Sequence, residues 1–236
     1  MNMIIAVMTC ILLGYLLGCI NLSYLISKMK GFDIRNFGSR NAGASNVVIL
    51  MGKKAGVIVA LIDILKAYMA VKISAGLFPE FYLAGVIAAT SVILGHIFPF
   101  YMGFRGGKGF ASLGGAILAL DYRMFIVLLL VAVFVAFVTD YICFAPMSVA
   151  LIFPAAYGVA NHSYAFAVIL YISAIFIWYR HLGNLKRIKN GTELKFSFLW
   201  NRKAEAERFG VDDDDGKNYP FYMDHQAEEE MHKCSK

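Results

Sequence analysis

Residues 95–112, GHIFPFYMGFRGGKGFAS, place five glycines, Arg105 and Lys108 between two apolar segments. Glycine lets the backbone approach a ligand closely and cations attract anions, so this stretch predicts a phosphate-binding loop. It is not a Walker A nucleotide loop, G-x-x-x-x-G-K-[ST], because no glycine lies five residues before Gly107 and Gly109 follows Lys108. The alternative is that the glycines serve helix packing and the cations only mark a cytoplasmic connection.

A second polar cluster, GSRNAGASNVVILMGKK, covers residues 38–54. Its hydroxyl, amide and guanidinium groups are those of Ser39, Arg40, Asn41 and Asn46. Ser45 is placed to cap a short helix over 46–51 that ends at Gly52, and a helix N-terminus beside a cation suits an anion. A plain cytoplasmic connector that obeys the charge rule for membrane proteins is the alternative.

The third cluster, RHLGNLKRIKNGTELK, covers residues 180–195 and follows an apolar run. If the helix of that run continues, His181, Asn184 and Arg187 recur every third residue and share one helix face. Imidazole, amide and guanidinium groups would then line one edge of a site. A basic helix lying on anionic lipid is the alternative, and it explains the lysines better than it explains His181 and Asn184.

Asp63 and Lys66 are three residues apart inside an apolar segment. Ionisable groups are costly in lipid, so this pair is predicted to face the interior of a helix bundle and to contact each other. A structural role is favoured over a catalytic one for both residues.

The polar clusters interrupt a strongly apolar chain. Of 236 residues, 59% are hydrophobic and 16% are charged, against about 45–50% and about 25% in soluble domains. This composition is typical of a membrane protein.

The four cysteines lack the short spacing of metal or redox pairs, so neither a disulfide framework nor a zinc site is expected. A cleaved signal peptide is disfavoured, because no Lys or Arg precedes the first apolar run.

Seven apolar segments approach the length needed to cross a membrane, which predicts an all-α, polytopic membrane protein with about seven transmembrane helices. Lys and Arg concentrate in alternate connections, so the N-terminus is expected outside and the C-terminus, with all three polar clusters, in the cytoplasm. We expect a membrane-embedded domain over 1–199 and a polar, disordered tail over 200–236. The seven segments lie near 3–27, 55–78, 81–101, 109–120, 124–140, 142–160 and 164–180.

The chemistry predicted for the cytoplasmic face follows from its side chains. Cations, hydroxyls and amides are abundant there, whereas acids are few and no pair is clustered to hold Mg²⁺, so a site without metal is expected. Such a set favours binding two anionic substrates side by side while an oxygen nucleophile attacks a carbonyl. Cations would offset the developing charge, and positioning would lower the barrier further.

Taken in chain order, 38–54, 95–112 and 180–195, the three clusters resemble the three motifs of the PlsY family of bacterial acyl-phosphate-dependent glycerol-3-phosphate acyltransferases. The resemblance runs from about residue 11 to about 197, and GKKAGVIVALIDILKA adds a fourth similar stretch. It implies transfer of an acyl group from acyl phosphate to the 1-hydroxyl of sn-glycerol 3-phosphate, giving 1-acylglycerol 3-phosphate (lysophosphatidate) and phosphate. It also implies a multi-pass protein of the bacterial cytoplasmic membrane, in contact with membrane lipids and working without cofactor, nucleic acid or protein partner.

The resemblance implies catalytic roles for Ser39, Lys108, His181 and Asn184. The substrate-binding residues expected from the motifs and their cations are Arg40, Asn41, Asn46, His96, Arg105, Gly106, Gly107, Gly109, Arg187 and Glu193. The resemblance implies that glycerol phosphate binds among Ser39, Lys108 and the third motif. It also implies that the acyl phosphate binds against the glycine-rich loop. Whether His181 or a substrate phosphate takes the hydroxyl proton stays open at this point.

Two departures from the family pattern fall in the first motif. Ile49 stands where the family usually has an arginine, and Arg40 replaces a usual glycine. Arg40 would reach the same phosphate from another direction. The alternative is a paralogue with a different acceptor.

Two other protein classes are disfavoured by the sequence. A membrane transporter of anions or phosphate esters would place charged or discontinuous segments near the membrane midplane, and only Asp63, Lys66 and Lys72 lie inside a span. Acyltransferases of the H-x-x-x-x-D type are disfavoured because none of the five histidines has Asp five positions on.

Overall fold

The computed structural model describes residues 2–201, and every regular element in that range is helical, as predicted. Short 3₁₀ turns lie at Ile34–Asn36, Phe100–Met102 and Phe196–Leu199. The helices are α1 (Met3–Cys19), α2 (Leu22–Met29), α3 (Ala44–Met51), α4 (Lys53–Leu77), α5 (Ala84–Ile97), α6 (Phe110–Leu120), α7 (Tyr122–Thr139), α8 (Phe144–Ala160) and α9 (Tyr164–Lys189).

Each of the seven apolar segments contains a helix, but the helices differ in length. Within the described residues, four segments are long and apolar enough to cross a membrane: Met3–Met29, Ala84–Met102, Tyr122–Thr139 and Tyr164–Lys189. Helices α6 and α8 are shorter apolar helices. The count of seven spans and the orientation of the termini therefore stay predictions, and the expected tail lies almost wholly outside the described residues.

The first apolar segment is interrupted where α1 gives way to α2. Asn21 caps α2, because its Oδ1 accepts a hydrogen bond of 2.9 Å from the backbone N–H of Tyr24. Its Nδ2 donates at 3.0 Å to the carbonyl of Ala42. One buried amide thus starts α2 and attaches the connection that carries the polar cluster of residues 38–54.

Glycines bring α5 into close contact with α1. A Cβ at Gly18 would overlap the carbonyl of Val92, and one at Gly95 would overlap the carbonyl of Tyr15. Small residues at helix interfaces allow backbones to approach in this way, which is the main source of packing energy between helices in lipid. Helix α5 is therefore held centrally, and the glycine-rich loop begins just beyond its C-terminal end.

The outer surface of the bundle is apolar. On α7, Leu130, Phe134 and Val138 are exposed, whereas Leu128 and Ala132 pack inward. Exposed apolar surface on this scale is unfavourable in water and is expected where lipid covers the protein. The core itself lies between α4, α5, α6, α7, α8 and α9, with Ile93, Ile117, Phe153, Leu170 and Ile177 fully buried.

The chain beyond α9 folds back on the turn between α7 and α8. The Asp140 carboxylate accepts hydrogen bonds from the Ser197 backbone N–H at 2.8 Å and the Ser197 hydroxyl at 3.0 Å. The Phe196 N–H also donates to the Asp140 carbonyl at 2.7 Å. These bonds fix the segment that follows Glu193 and so limit where its carboxylate can lie.

Candidate active site

A chain of charge-assisted hydrogen bonds joins the glycine-rich loop to the end of α9. Lys108 Nζ donates to Asn184 Oδ1 at 2.6 Å, and Asn184 Nδ2 donates to Glu193 Oε1 at 2.5 Å. Arg187 Nε donates to the other oxygen, Glu193 Oε2, at 2.6 Å. Asn184 and Arg187 reach the same carboxylate, which confirms that they share a helix face. We call Lys108, Asn184, Arg187 and Glu193 the lysine network.

The chemistry of its ends fixes the orientation of the network. An ammonium only donates and a carboxylate only accepts, so the Asn184 amide must turn its oxygen to Lys108 and its nitrogen to Glu193. Burial lowers the pKa of Lys108 to about 8, with nearby Arg187 lowering it and Glu193 raising it. Lys108 is thus a cation that loses its proton within the physiological range when no anion is bound.

His181 lies on the same part of α9 and is buried. Its Nδ1 lies 2.7 Å from the carbonyl oxygen of Ile177. Since a carbonyl can only accept, Nδ1 carries the proton and Nε2 keeps a lone pair. Lys108 and Arg187 also act electrostatically on the ring. Imidazole therefore offers this site a neutral hydrogen-bond acceptor.

The glycines of the loop serve close packing against the end of α5. The Gly106 N–H donates to the Ile97 carbonyl at 2.9 Å, and the Gly107 N–H donates to the His96 carbonyl at 3.1 Å. A Cβ at Gly106 would overlap the His96 carbonyl, and one at Gly107 would overlap the His96 ring. Since both amides are used within the protein, a phosphate at this loop would be bound by the side chains of neighbouring cations.

Gly109 has a different role, because it begins α6 with a φ of 90°. That left-handed conformation is strained for residues with a Cβ. A Cβ would also press against Ile97 and Ile177 at 3.2 and 3.3 Å. Gly109 therefore sets the direction in which the chain leaves the loop.

His96 belongs to a buried ionic cluster with Asp63 and Lys66, which confirms that this pair faces inward. Lys66 Nζ lies 2.7 Å from Asp63 Oδ1 and 3.0 Å from His96 Nδ1. It also donates to the Ile20 carbonyl at 2.5 Å, at the break between α1 and α2. We call Asp63, Lys66 and His96 the ionic cluster. It joins three helical segments beneath Gly107, while the substrate-binding role of His96 stays a prediction.

The first motif is organised by Asn46. Its Nδ2 donates to the carbonyls of Ile34 and Phe37 at 3.0 Å each, and its Oδ1 accepts from the Ser39 N–H at 2.8 Å. Asn46 is fully buried, and all three bonds go to the backbone. Asn46 therefore positions Ser39, whose side chain is half-buried.

Replacing Asn46 with alanine should destabilise this turn and raise the KM for the acceptor. The loss of three buried bonds is expected to lower the free energy of unfolding by about 1–3 kcal/mol. Ser45→Ala is the matched control, since Ser45 is adjacent on α3 and exposed. Thermal unfolding in detergent measures the loss of stability, and initial rates at varied acceptor concentration measure the KM. An Asn46→Ala protein with the same unfolding temperature and acceptor KM as Ser45→Ala would contradict the role of Asn46 in positioning Ser39.

The structure gives a physical reason for the glycine that the family usually has at the position of Arg40. This residue has a φ of 54°, in the left-handed region that glycine adopts readily and other residues rarely do. A glycine at this position, as in the family pattern, would be free of that strain. Ile49 lies half-buried on α3, the helix that directly follows the connection that holds Arg40.

A cavity of about 820 Å³ lies beside the loop, and Gly106 is part of its wall. The predicted residues Arg40 and Arg105 line it, together with two residues that sequence reasoning did not assign to the site, Arg35 and Arg180. We call it the arginine cavity. The sequence signal that could have identified Arg180 is its position immediately before His181. Successive side chains on a helix point about 100° apart, so Arg180 lies on the face next to that of His181.

The predicted residues thus fall into several groups. The lysine network unites residues of the second and third motifs, the arginine cavity takes in Arg40 and Arg105, and Asn46 lies within the first motif. Asn41 is buried with its side-chain oxygen lacking a hydrogen-bond partner. Among residues 2–201, no group of three or more His, Cys, Asp or Glu side chains could hold a metal ion.

Comparison with known proteins covers nearly the whole helical region. The family model described as glycerol-3-phosphate acyltransferase matches residues 8–191. Glycerol-3-phosphate acyltransferase 1 of Oceanobacillus iheyensis is 38% identical over 204 residues, covering 82% of this chain and 96% of that protein. The Bacillus subtilis glycerol-3-phosphate acyltransferase is 36% identical over 192 residues, covering 80% of this chain and 97% of that protein.

A solved structure has the same fold. The crystal structure of PlsY (YgiH), an integral membrane glycerol 3-phosphate acyltransferase, in its glycerol 3-phosphate form, superposes with a TM-score of 0.75 at 30% identity. The match covers 82% of this chain and 96% of that one. With a family model matching most of its length, the chain belongs to the PlsY family of glycerol-3-phosphate acyltransferases.

Proposed function

We propose that this protein transfers an acyl group from acyl phosphate to the 1-hydroxyl of sn-glycerol 3-phosphate at the cytoplasmic face of a bacterial membrane. The products are 1-acylglycerol 3-phosphate and inorganic phosphate. Family membership supports the acceptor, since the relatives are named for it. The PlsY relative has been solved in glycerol 3-phosphate and lysophosphatidic acid forms, which are an acceptor and an acylated product.

The observation that carries the proposal is the lysine network beside His181. Glycerol 3-phosphate needs a cation for its phosphate and a hydrogen-bond acceptor for the hydroxyl that reacts. Lys108 supplies the cation, and the Nε2 lone pair of His181 supplies the acceptor. Glu193 holds Asn184 and Arg187 in place, so the donors of the network are pre-organised before substrate binds.

In the proposed reaction, the 1-hydroxyl oxygen attacks the carbonyl carbon of the acyl phosphate. A new ester C–O bond forms, and the C–O bond to the phosphate breaks. His181 orients the hydroxyl through Nε2, while its Nδ1–H stays bonded to the Ile177 carbonyl. The hydroxyl proton passes to the departing phosphate, which would otherwise leave as a strongly basic trianion, so that an acyl phosphate dianion leaves as hydrogen phosphate dianion. Lys108 offsets negative charge on the reacting oxygens.

The test is turnover by purified protein in detergent, given hexadecanoyl phosphate and labelled glycerol 3-phosphate. Release of phosphate and formation of labelled lysophosphatidate in equal amounts is the expected result. Hexadecanoyl-CoA in place of the acyl phosphate is the matched donor control. Turnover with the thioester alone would contradict the proposed donor, and turnover with neither donor would contradict the enzyme assignment.

Rate measurements against pH test the role of the Lys108 charge. With a pKa of about 8, Lys108 is protonated below pH 8 and loses its charge above it. The value of kcat/KM reports ionisations of the free enzyme, so it should fall tenfold for each pH unit well above 8. Lys108→Arg keeps its charge at every accessible pH, and its residual activity should lack this alkaline decline. A wild-type profile that stays flat from pH 7 to pH 9.5 would contradict a catalytic ammonium.

A further inference from the structure

The chain beyond α9 returns to the helix bundle and carries Glu193 with it. We call residues 192–200 the return segment. At its start, the Thr192 N–H donates to the Arg187 carbonyl at 2.8 Å. The Glu193 carboxylate then accepts hydrogen bonds from Asn184 and Arg187, back on α9. The position of this carboxylate therefore depends on how the rest of the return segment is held.

Asp140, which follows α7 directly, holds the return segment. Its two carboxylate oxygens accept from the backbone N–H and the hydroxyl of Ser197, at 2.8 and 3.0 Å. Its carbonyl accepts from the Phe196 N–H at 2.7 Å. Three residues of chain lead from Glu193 to Phe196, and a stretch of that length reaches about 11 Å at most. A displacement of the chain at Ser197 would therefore reach Glu193.

The backbone at Asp140 has an unusual conformation. Its φ is 57° and its ψ is 20°, in the left-handed region that few residues other than Gly, Asn and Asp adopt. The Thr139 hydroxyl fixes this turn, because it donates to the Val135 carbonyl at 2.7 Å and accepts from the Tyr141 N–H at 3.3 Å. Backbone strain that is held by surrounding bonds is frequent at functional sites, which directs attention to what this turn holds.

The charge on Glu193 acts on Lys108. The charged and titratable groups that interact electrostatically with Lys108 are Arg180, His181 and Arg187 on α9, Glu193 on the return segment and Cys143 at the start of α8. Burial is the main cause of the lowered pKa of Lys108, and the guanidinium groups lower it further, whereas Glu193 raises it. A displaced Glu193 would therefore leave Lys108 with a still lower pKa.

We infer that Asp140 is a positioning residue for acyl transfer, because it holds the return segment where Glu193 can keep Asn184 and Arg187 in place beside Lys108. This role rests on the proposed function. It adds the turn between α7 and α8 to the elements that build the site, although this turn lies outside all three polar clusters of the sequence.

The pH dependence of kcat/KM tests the role of Asp140. Asp140→Gly removes the carboxylate, and glycine adopts a φ of 57° without strain, so the return segment is released while the turn keeps its shape. The value of kcat/KM at pH 7 should fall by about tenfold or more, since small displacements of positioned groups have effects of this size. The alkaline decline should begin at a lower pH than in the wild type, because Lys108 loses a nearby negative charge.

Asp140→Asn is the conservative variant. Asparagine also tolerates the left-handed conformation. Its Oδ1 can accept from the Ser197 N–H, and its Nδ2 can donate to the Ser197 hydroxyl oxygen. It should therefore keep most of the wild-type rate and the wild-type alkaline decline, which would assign the effect of Asp140→Gly to the two bonds and not to the charge of Asp140.

Asp121→Ala is the matched control at the opposite end of α7. Its carboxylate also accepts two backbone bonds, from the N–H groups of Arg123 and Met124 at 2.8 and 3.0 Å. Its loss should lower the unfolding temperature and leave the alkaline decline in place. A decline that is unchanged in Asp140→Gly, or that moves equally in Asp121→Ala, would overturn the role of Asp140.

Ser197→Ala gives a second, milder variant. It removes the hydroxyl bond to Asp140 and keeps the N–H bond, so the alkaline decline should move in the same direction by a smaller amount. If Asp140→Gly does not fold, Ser197→Ala decides alone, and an unchanged decline in it would overturn the role of Asp140.

A measurement without turnover separates this role from the proposed function. Trace labelling with acetic anhydride in detergent, read by mass spectrometry of the peptide that contains Lys108, gives the pH at which its amine becomes reactive. This pH should be lower in Asp140→Gly than in the wild type and in Asp121→Ala. A lower pH in a protein whose wild type transfers no acyl group would support the hold of Asp140 on the lysine network and contradict the proposed function. An unchanged pH in a protein that transfers acyl groups would overturn the role of Asp140 alone.

Discussion

Lys108→Ala should lower kcat/KM for acyl transfer by about 10²–10³-fold, because removing one pre-organised donor from a site of developing negative charge has an effect of this size. Lys108 is the cation that joins the glycine-rich loop to Asn184, so its removal also frees the amide that it holds. The protein should remain folded, since Lys108 lies in a loop and the core helices do not depend on its side chain. Initial rates at varied acceptor and donor concentrations measure the loss.

Lys186→Ala is the matched control for this loss. Lys186 carries the same charge as Lys108 and lies at the end of α9 that Lys108 contacts. It is exposed, two residues from Asn184 and on a different helix face. It should retain nearly full activity, which would separate a local role of Lys108 from a general effect of positive charge. A Lys108→Ala protein as active as Lys186→Ala would remove Lys108 from the reaction.

The parts of the site that sequence predicts well are set by local geometry. Asn184 and Arg187 are three residues apart, and any helix that continues through them puts them on one face. The end of α3 at Gly52 was also predicted correctly. Its start was wrong, because the helix begins at Ala44 after Gly43, and Ser45 lies within the first turn instead of capping it.

The parts that sequence does not predict depend on contacts between distant elements. Gly106 and Gly107 are glycines because the end of α5 leaves no room for a Cβ, which is visible only once the loop has folded back on His96. Arg180 looks like one more positive charge at the end of a membrane helix until its guanidinium is seen against Gly106. Neither the contact of the glycines with His96 nor the contact of Arg180 with Gly106 follows from a fixed spacing along the chain.

The ionic cluster was predicted as an inward-facing pair, and its third member shows how it connects to the site. His96 was expected to bind substrate, and the structure gives it a supporting contact: its ring lies beneath Gly107, and its Nδ1 lies 3.0 Å from Lys66 Nζ and 3.3 Å from Asp63 Oδ1. The position of the loop therefore depends on two ionisable groups that are remote from the lysine network in sequence.

Lys66→Met should destabilise the protein strongly, by about 3–5 kcal/mol in the free energy of unfolding, because it leaves the buried Asp63 carboxylate without its ammonium partner, with only His96 beside it. It also removes the donor to the Ile20 carbonyl at the break between α1 and α2. Lys72→Met is the matched control on the same helix, since Lys72 is exposed and contacts only the ring of Tyr68 among the interactions described for it. In detergent, the unfolding temperature should fall strongly for Lys66→Met and change little for Lys72→Met.

The double variant Asp63→Leu/Lys66→Met separates stability from catalysis. Replacing both members of a buried ion pair with apolar residues of similar size is often neutral or stabilising, so the double variant should unfold near the wild-type temperature. It still lacks the groups that hold His96 Nδ1, so the ring and the loop above it lose their fixed position and kcat should remain low. A double variant with full stability and full kcat would show that packing alone positions the loop. A stable protein with low kcat would show that the pair is retained for the site, since an apolar core of the same volume would satisfy the fold.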